Sequence, residues 1–224
     1  MPRRALVWLL FAIAFFAARE VRAESHGWTE SHVTGEDVRA AVARDGSVVV
    51  THAISYRVAA DTLRSVALIG FEDDLRFRPT ANVTAGDGHA TSASVVRDDK
   101  DVLHVTVDDP KGLKRGDYRF ELTYEMSLAG RATREGAFAR VRFALPPMRE
   151  GVDGARLVLE LPSAPTEPRA VTEGDGAADL ATLRRTTEHD ELELVRPHVA
   201  KGEAATFYAR VDPKALSQMD DAAL

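Results

Sequence analysis

Apolar and polar residues alternate with period two through much of the chain, which is the pattern of β-strands with one face in a hydrophobic core. In residues 116–128, every even position from Tyr118 to Leu128 is apolar or aromatic and the odd positions between them are polar. A helix would scatter these apolar residues around its surface, whereas a strand collects them on one face. The alternation therefore predicts a long strand here.

The same alternation predicts a β-hairpin over residues 38–58. Its second strand has an apolar face from position 48 to 58 that only His52 interrupts. Asp45-Gly46 lies between the two strands, and this dipeptide predicts a tight type I′ turn because both residues tolerate positive φ. We expect His52 to be a hydrogen-bonded core or inter-domain histidine, since it has no metal-ligand partner nearby in the sequence.

Seven further short strands are predicted at residues 65–71, 91–97, 102–107, 138–145, 155–161, 191–196 and 204–211. Gly-Asp and proline-rich breaks separate them. Many short strands joined by turns favour an antiparallel β-sandwich over alternating strands and helices. One short helix or tail is predicted over residues 213–224, where Asp212 can cap the helix and Pro213 can take its first position. The predicted fold class is all-β.

The first half of the chain resembles an immunoglobulin-like sandwich. Within a domain assigned to residues 24–130, residues 36–128 offer about seven strands, the number such a domain contains, and Tyr118 follows a turn that resembles its tyrosine corner. The cysteines and the core tryptophan of immunoglobulin domains have no counterpart. With a boundary near residues 130–136, residues 137–212 form either a second β-rich domain or the completion of the first. The chain is thus predicted to be one large sandwich or two consecutive ones.

The first residues have the layout of a secretory signal peptide. Two arginines lie within residues 1–4, an apolar run fills residues 5–18, and polar residues resume at Arg19. As a helix, this run would span only about 21 Å against a hydrocarbon core of about 30 Å. We therefore expect residues 1–23 to be removed by cleavage after Ala23, with an uncleaved, tilted anchor as the alternative. No later stretch is apolar for long enough to predict a membrane span in the mature chain.

The net charge limits the class of binding partner, and the cysteine content limits how the fold can be stabilised. The chain has a net charge of −6, and loss of residues 1–23 removes four arginines and one glutamate, so the mature protein is more acidic still. This charge disfavours binding to phosphate backbones, so no nucleic-acid partner is expected. Cysteine is absent, which excludes a disulfide framework in an exported protein. The predicted location is the periplasm, the cell envelope or the extracellular space.

A second resemblance rests on residues 44–56, where Asp45-Gly46-Ser47 leads into a hydrophobic strand, together with residues 117–124. These residues resemble the exported N-terminal β-domain of uncharacterised bacterial predicted membrane proteins. A transmembrane region comes later in those proteins, and none occurs here before Leu224. The resemblance implies an envelope location, and it leaves open whether the chain is complete or is the ectodomain of a larger membrane assembly.

Patterns that could support catalysis or metal binding are few. Residues 98–101 gather three aspartates, but they lack EF-hand spacing and Lys100 opposes a cation, so a solvated acidic turn is expected. The histidines form no zinc motif, and His104 is expected to be exposed. No serine lies in a nucleophile motif, and no glycine-rich phosphate loop is present. The sequence predicts no catalytic residue, cofactor or metal ligand.

The one candidate binding feature is a pair of arginines, Arg140 and Arg142, that alternate with Val141 and Phe143. Guanidinium groups in a row could bind an anionic glycan or an acidic envelope protein through bidentate contacts. The alternative is that these charges only discourage pairing of exposed strands. The sequence thus favours an exported, non-enzymatic binding or scaffold module of the bacterial cell envelope. The alternatives are the ectodomain of a larger membrane assembly and a hydrolase acting on envelope polysaccharide or peptide.

Overall fold

The computed structural model describes residues 30–172 and 180–219. The predicted signal peptide and the last five residues of the predicted C-terminal helix lie outside this part of the chain. The strands within it are β1 (Glu30–Val42), β2 (Ser47–Ala60), β3 (Ser65–Leu68), β4 (Arg76–Phe77), β5 (Thr80–Ala85), β6 (Ala90–Arg97), β7 (Leu103–Val107), β8 (Gly116–Ser127), β9 (Ala132–Glu135), β10 (Phe138–Ala144), β11 (Ala155–Pro162), β12 (Arg169–Val171), β13 (Leu180–Arg185), β14 (His189–Arg196) and β15 (Thr206–Val211).

Eleven of these strands form a large sheet in the order β13-β14-β11-β1-β2-β8-β5-β6-β7-β3, with β4 paired to β8 beside this path. Its neighbours are antiparallel except β1 and β11, which are parallel. Parallel strands need a long crossover between them, and most of the other strands intervene between β1 and β11 in the sequence. The large sheet is therefore mixed, where the turn-rich sequence predicted antiparallel pairing throughout.

The remaining four strands form a small antiparallel sheet in the order β12-β15-β10-β9. The inner faces of the two sheets share one hydrophobic core, which is what the period-two alternation requires of two packed sheets. Phe120 and Leu122 enter it from β8, and Phe143 and Phe207 enter it from the small sheet. The prediction of an all-β sandwich is confirmed.

The strands are divided between the layers differently from an immunoglobulin-like domain. All eight strands up to Ser127 lie in the large sheet, and the layer that faces it consists of β9, β10, β12 and β15. The 14-residue strand β2 pairs with β1 on one side and with β8 on the other. This continuous ladder keeps the first half in one layer, while strands from residues 137–212 take part in both sheets.

The β1–β2 hairpin is confirmed, but the predicted type I′ turn is wrong. Gly46 has a φ of 80°, whereas Asp45 does not adopt positive φ. The loop is instead a four-residue turn in which the Gly46 N–H donates to the Ala43 carbonyl at 3.0 Å. Asp45 uses its carboxylate to accept hydrogen bonds from the backbone N–H and the hydroxyl of Ser47, at 2.9 and 2.6 Å. One positive φ is enough for this longer turn.

The chain after β15 forms a short 3₁₀ helix over Pro213–Leu216. Asp212 caps it as predicted, accepting a hydrogen bond from the Lys214 N–H at 3.0 Å. Leu216 and Met219 are both buried against the hydrophobic core. No helix within residues 30–172 and 180–219 has the length and hydropathy to cross a membrane.

Candidate functional site

The small sheet has one apolar face and one face rich in arginine. In β10, Ala139, Val141 and Phe143 are buried, while Arg140 and Arg142 lie on the opposite, outward face. The same alternation continues in β15, where the residues between the buried positions are Tyr208 and Arg210. Two neighbouring strands therefore place their polar side chains on one outer surface.

The register of the small sheet aligns three arginines across three strands. Arg140 of β10 lies directly opposite Arg210 of β15, which in turn lies opposite Arg169 of β12. The next pair on the same face, two residues further along β10, places Arg142 opposite Tyr208. We refer to Arg140, Arg142, Arg169, Tyr208 and Arg210 as the arginine face. Directly opposed side chains in an antiparallel pair lie close together, and like charges in these positions repel.

Two carboxylates partly offset this repulsion. Glu135, on β9, lies 3.3 Å from Arg140 Nη1 and 3.3 Å from Arg210 Nε. Glu167 lies 3.0 Å from Arg169 Nη2. Within the described residues, these two carboxylates thus contact all three guanidinium groups of the row. Arg169 and Arg210 still have 74% and 52% of their side-chain surface exposed, so their donors remain accessible from solvent.

Tyr208 supports the guanidinium group of Arg140, whose Cζ lies 4.4 Å from the centre of the phenol ring. A cation held over an aromatic ring is stabilised by about 0.5–1 kcal/mol at exposed sites. The stacked guanidinium is planar and keeps a fixed orientation, which reduces the entropy lost when it binds a carboxylate, sulfate or phosphate group. The face therefore combines positive charge with a partly pre-ordered donor group.

Arg142 connects the arginine face to a second charged cluster between the two sheets. Its Nη2 donates to Glu72 Oε1 at 2.8 Å, and Glu72 Oε2 accepts a hydrogen bond from Arg131 Nε at 2.7 Å. Arg131 Nη1 also donates to Asp74 Oδ2 at 2.7 Å. We call Glu72, Asp74, Arg131 and Arg142 the inter-sheet cluster. It joins the segment after β3 to the start of the small sheet.

The arginines of the inter-sheet cluster keep its carboxylates ionised. Partial burial acts to raise the pKa of Glu72, but the hydrogen bonds from Arg131 and Arg142 outweigh it and hold this pKa below its usual range. The hydrogen bond from Arg131 is the largest influence on Asp74 and lowers its pKa as well. The Arg131 side chain is only 8% exposed. The cluster therefore connects the two sheets and has a structural role.

A separate ionisable pair lies in the core of the large sheet. His52 is fully buried on the inner face of β2, as the sequence predicted, but within the described part of the chain neither of its ring nitrogens has a hydrogen-bond partner. Its Nε2 lies 2.8 Å from Oε1 of Glu36 on β1 without the angular geometry of a hydrogen bond. The ring centres of Phe71 and Tyr124 lie 5.7 and 6.2 Å from the His52 ring. Burial is the largest influence on the Tyr124 hydroxyl and raises its pKa well above the usual range. The pair is enclosed by side chains, so its direct role is in folding.

The acidic turn at residues 98–101 lies at the tip of the β6–β7 hairpin. Asp98 accepts hydrogen bonds from the backbone N–H groups of Lys100 and Val102, both at 2.9 Å, and lies 3.0 Å from His104 Nε2. The bond from Val102 is the largest of the influences that lower the Asp98 pKa. These contacts use the carboxylate to hold the turn.

The described ranges contain no group of three or more His, Asp or Glu side chains placed to hold a metal ion. The acidic residues Glu72 and Asp74 belong to the inter-sheet cluster. The acidic stretch at residues 174–179 and His26 lie outside the residues that the structure describes.

The sequence identified only part of the arginine face. It named Arg140 and Arg142, and the structure places both on this face, although each also contacts a glutamate. Arg169, Tyr208 and Arg210 were missed. The alternation within β15 could have indicated Arg210, but no local signal indicates that β12 lies beside it. Two further neighbouring arginines, Arg184 and Arg185, lie in β13 of the large sheet.

Comparison with known proteins shows the fold and not a family. No protein-family profile matches the chain, and no curated protein matches it by sequence. The structure is similar to the crystal structure of an M1 zinc metallopeptidase from Deinococcus radiodurans, with a TM-score of 0.52 and 15% sequence identity. The match covers 81% of this chain and 42% of that chain.

This neighbour is informative about architecture alone. The present chain spans less than half the length of the peptidase it matches. The present chain contains no His-Glu-x-x-His motif, the arrangement that places two zinc ligands and a general base on one helix in many metallopeptidases. The shared feature is therefore the β architecture.

Proposed function

We propose that this chain is an exported, non-enzymatic binding module of the bacterial cell envelope, and that its arginine face binds an anionic partner. The observation that carries the proposal is the row of Arg140, Arg210 and Arg169 across three strands of the small sheet. Like charges aligned across strands cost stability, and Glu135 and Glu167 offset part of that cost. An anionic partner would remove that cost on binding.

The chemistry of the face suits a carboxylate, sulfate or uronate group. Arginine binds planar anions through paired N–H donors, and such charge-assisted hydrogen bonds are among the strongest in proteins. The rest of the molecule has a net negative charge, which repels an anionic ligand from other surfaces and favours this one. The face is open, so the partner would be a polymer or a protein surface instead of an enclosed small molecule.

An exported location supports this proposal and can be tested separately. We expect protein isolated from its native cell to begin at Glu24, since the basic start, the apolar run and the small residues before Ala23 occur together. Mass spectrometry of the intact protein measures this directly. A mature species that still carries Met1 or Pro2 would show that the segment is an uncleaved anchor.

Two alternatives have less support. A hydrolase needs a carboxylate placed to act as an acid or base, and the four carboxylates nearest to the arginine face and the inter-sheet cluster, Glu72, Asp74, Glu135 and Glu167, each contact an arginine instead. The ectodomain of a larger membrane assembly is compatible with a binding face. The peptidase shows that a similar fold can form part of a much longer chain.

Replacing two arginines of the face tests the proposal. Arg140→Ala with Arg142→Ala should reduce capture of an acidic envelope component about tenfold or more, since two charge-assisted hydrogen-bonding groups are lost. The matched control is Arg39→Ala with Arg156→Ala, which removes the same charge from the outer face of the large sheet, where both residues pair with glutamates. Pull-down from envelope extracts by wild-type protein and both variants provides the measurement.

The wild-type protein and the two double variants also distinguish a specific binding site from non-specific charge attraction and from a hydrolase. Equal loss of capture in both variants would show that only net charge matters and would contradict a specific site. A panel of peptidase and glycosidase substrates should show no turnover. If one carboxylate substitution abolished turnover by the wild-type protein without changing its melting temperature, the hydrolase alternative would replace this proposal.

A further inference from the structure

A groove runs along the free edge of the large sheet. Strand β3 is the last strand of that sheet and pairs only with β7. Its other edge has no neighbouring strand within the part of the chain that the structure describes. An unpaired edge presents backbone donors and acceptors in the spacing that another extended chain requires. The β3 edge is therefore a candidate site for strand addition.

The hydrogen-bond pattern shows which backbone groups are free to pair. The Val107 N–H donates to the Arg64 carbonyl at 2.9 Å, so residues 64 and 107 form a hydrogen-bonded pair. Because such pairs alternate along antiparallel strands, Ser65 and Ala67 direct their N–H and C=O groups away from β7. Both residues are exposed and line the groove. Two residues thus offer four backbone groups to an incoming strand.

The groove has an apolar floor and a second wall. Val33, Leu63, Leu68 and Met148 are among the residues that line its volume of about 210 Å³. The opposite wall is the segment 146–150, which follows β10. At one end Gly70, with a φ of 82°, packs so closely on Pro147 that a side chain there would lie 2.5 Å from the proline ring. The site is a slot with protein on both sides.

We propose that this slot binds an extended segment of a partner polypeptide, which pairs with Ser65 and Ala67 and places an apolar side chain on the floor. Main-chain pairing would supply affinity, and the floor would select the side chain, as in other cases of strand addition. The backbone groups of Ser65 and Ala67 suit an extended chain, so the occupant to which we commit is an extended segment of a partner polypeptide. Dimerisation of the chain that Ala67→Pro abolishes would instead identify a second copy as the occupant and would overturn the proposal.

The charges beside the slot indicate what flanks the apolar residue. Glu30 and Glu150 lie 3.6 and 3.5 Å from the two ring nitrogens of His32, and Arg149 is the one arginine that lines the slot. Ile69, which is 40% exposed, adds apolar surface at the rim. Glu150 lines the slot, and Glu30 immediately precedes the lining residue Ser31, so these two carboxylates favour a segment with a lysine or arginine next to its apolar residue.

Proline substitution on the two free edges of the sheet gives a matched test. Ala67→Pro removes an outward N–H and places the ring in the slot, while the pairing with β7 stays intact. Ala181→Pro, on the outermost strand β13 at the other edge of the sheet, is the control. The Thr186 N–H donates to the His189 carbonyl at 2.9 Å, so residues 186 and 189 form a hydrogen-bonded pair between β13 and β14. Because such pairs alternate, Ala181 directs its N–H away from β14, as Ala67 does from β7. Both alanines are exposed. A phage-displayed heptapeptide library, selected on the full chain, supplies the probe.

We expect selected peptides to alternate apolar and polar residues and to carry a basic flank. Their affinity should fall tenfold or more in Ala67→Pro and stay unchanged in Ala181→Pro and in the Arg140→Ala, Arg142→Ala variant. Ile69→Glu, at an exposed position, should also weaken binding and serves if Ala67→Pro does not fold. Failure to select any peptide that depends on residues 67 and 69 would overturn the proposal.

Discussion

Replacing His52 with leucine is expected to lower the free energy of unfolding by about 3 kcal/mol. His52 is fully buried and Glu36 is 2% exposed, so the substitution leaves the carboxylate in the core without the imidazole 2.8 Å away. Leaving a buried carboxyl group without a polar neighbour costs about 1–3 kcal/mol. For a domain of this size the melting temperature should fall by roughly 6–12 °C. Thermal and denaturant unfolding both measure it.

A double-mutant cycle separates loss of the pair from loss of packing. His52→Leu combined with Glu36→Leu removes both polar groups and should be less destabilising than the sum of the single variants, with a coupling of about 1–3 kcal/mol. Ion pairs replaced by apolar residues of similar size are often neutral in stability. Additive effects of the two substitutions would show that the 2.8 Å contact makes no energetic contribution.

Arg131→Ala should lower the free energy of unfolding by about 2 kcal/mol. Its guanidinium group donates to Glu72 and Asp74 and also to the Ser127 carbonyl at 2.8 Å. The expected loss is smaller than for His52 because Asp74 is 53% exposed and water screens its charge. Arg142→Ala is the control, since Arg142 is 39% exposed, and it should cost under about 1 kcal/mol. Equal losses would contradict a special role for Arg131.

The contribution of Arg131 to the free energy of unfolding should decrease as the pH is lowered. The folded-state pKa values of Glu72 and Asp74 are both lowered, so their contribution is fully present above their unfolded values of about 4. It is lost as the pH falls through the folded-state values, because the carboxylates then become protonated. The difference in stability between wild type and Arg131→Ala should therefore be largest near neutral pH and shrink below about pH 4. A difference that grows on acidification would contradict this account.

Local patterns predicted the strands well where one face is buried and the other is solvated. Strands β2 and β8 follow the alternation almost residue by residue, and Asp45-Gly46 lies in the turn between β1 and β2. The division into layers was harder to predict. The parallel pairing of β1 with β11 joins residues about 120 positions apart, and no local pattern encodes such a contact.

The same limit applies to the charged sites. The alternation in β10 showed that Arg140 and Arg142 share a face, but their alignment with Arg210 and Arg169 depends on register between distant strands. His52 was predicted to be buried because it interrupts an apolar face. Its partner Glu36 was not identified, because β1 was expected to start at Val38 and in fact begins at Glu30.

If the arginine face is a specific anion-binding surface, model polyanions should bind to it in a salt-dependent way that a titration can measure. Calorimetry would compare binding of poly-glutamate and of dextran sulfate to wild-type protein, to the Arg140→Ala, Arg142→Ala variant and to the Arg39→Ala, Arg156→Ala control. We expect binding that weakens between about 50 and 500 mM salt, as screening increases. The face variant should bind at least tenfold more weakly than wild type and depend less on salt, while the control should retain wild-type affinity. Equal affinity of all three proteins, or an equal loss in both variants, would contradict the account.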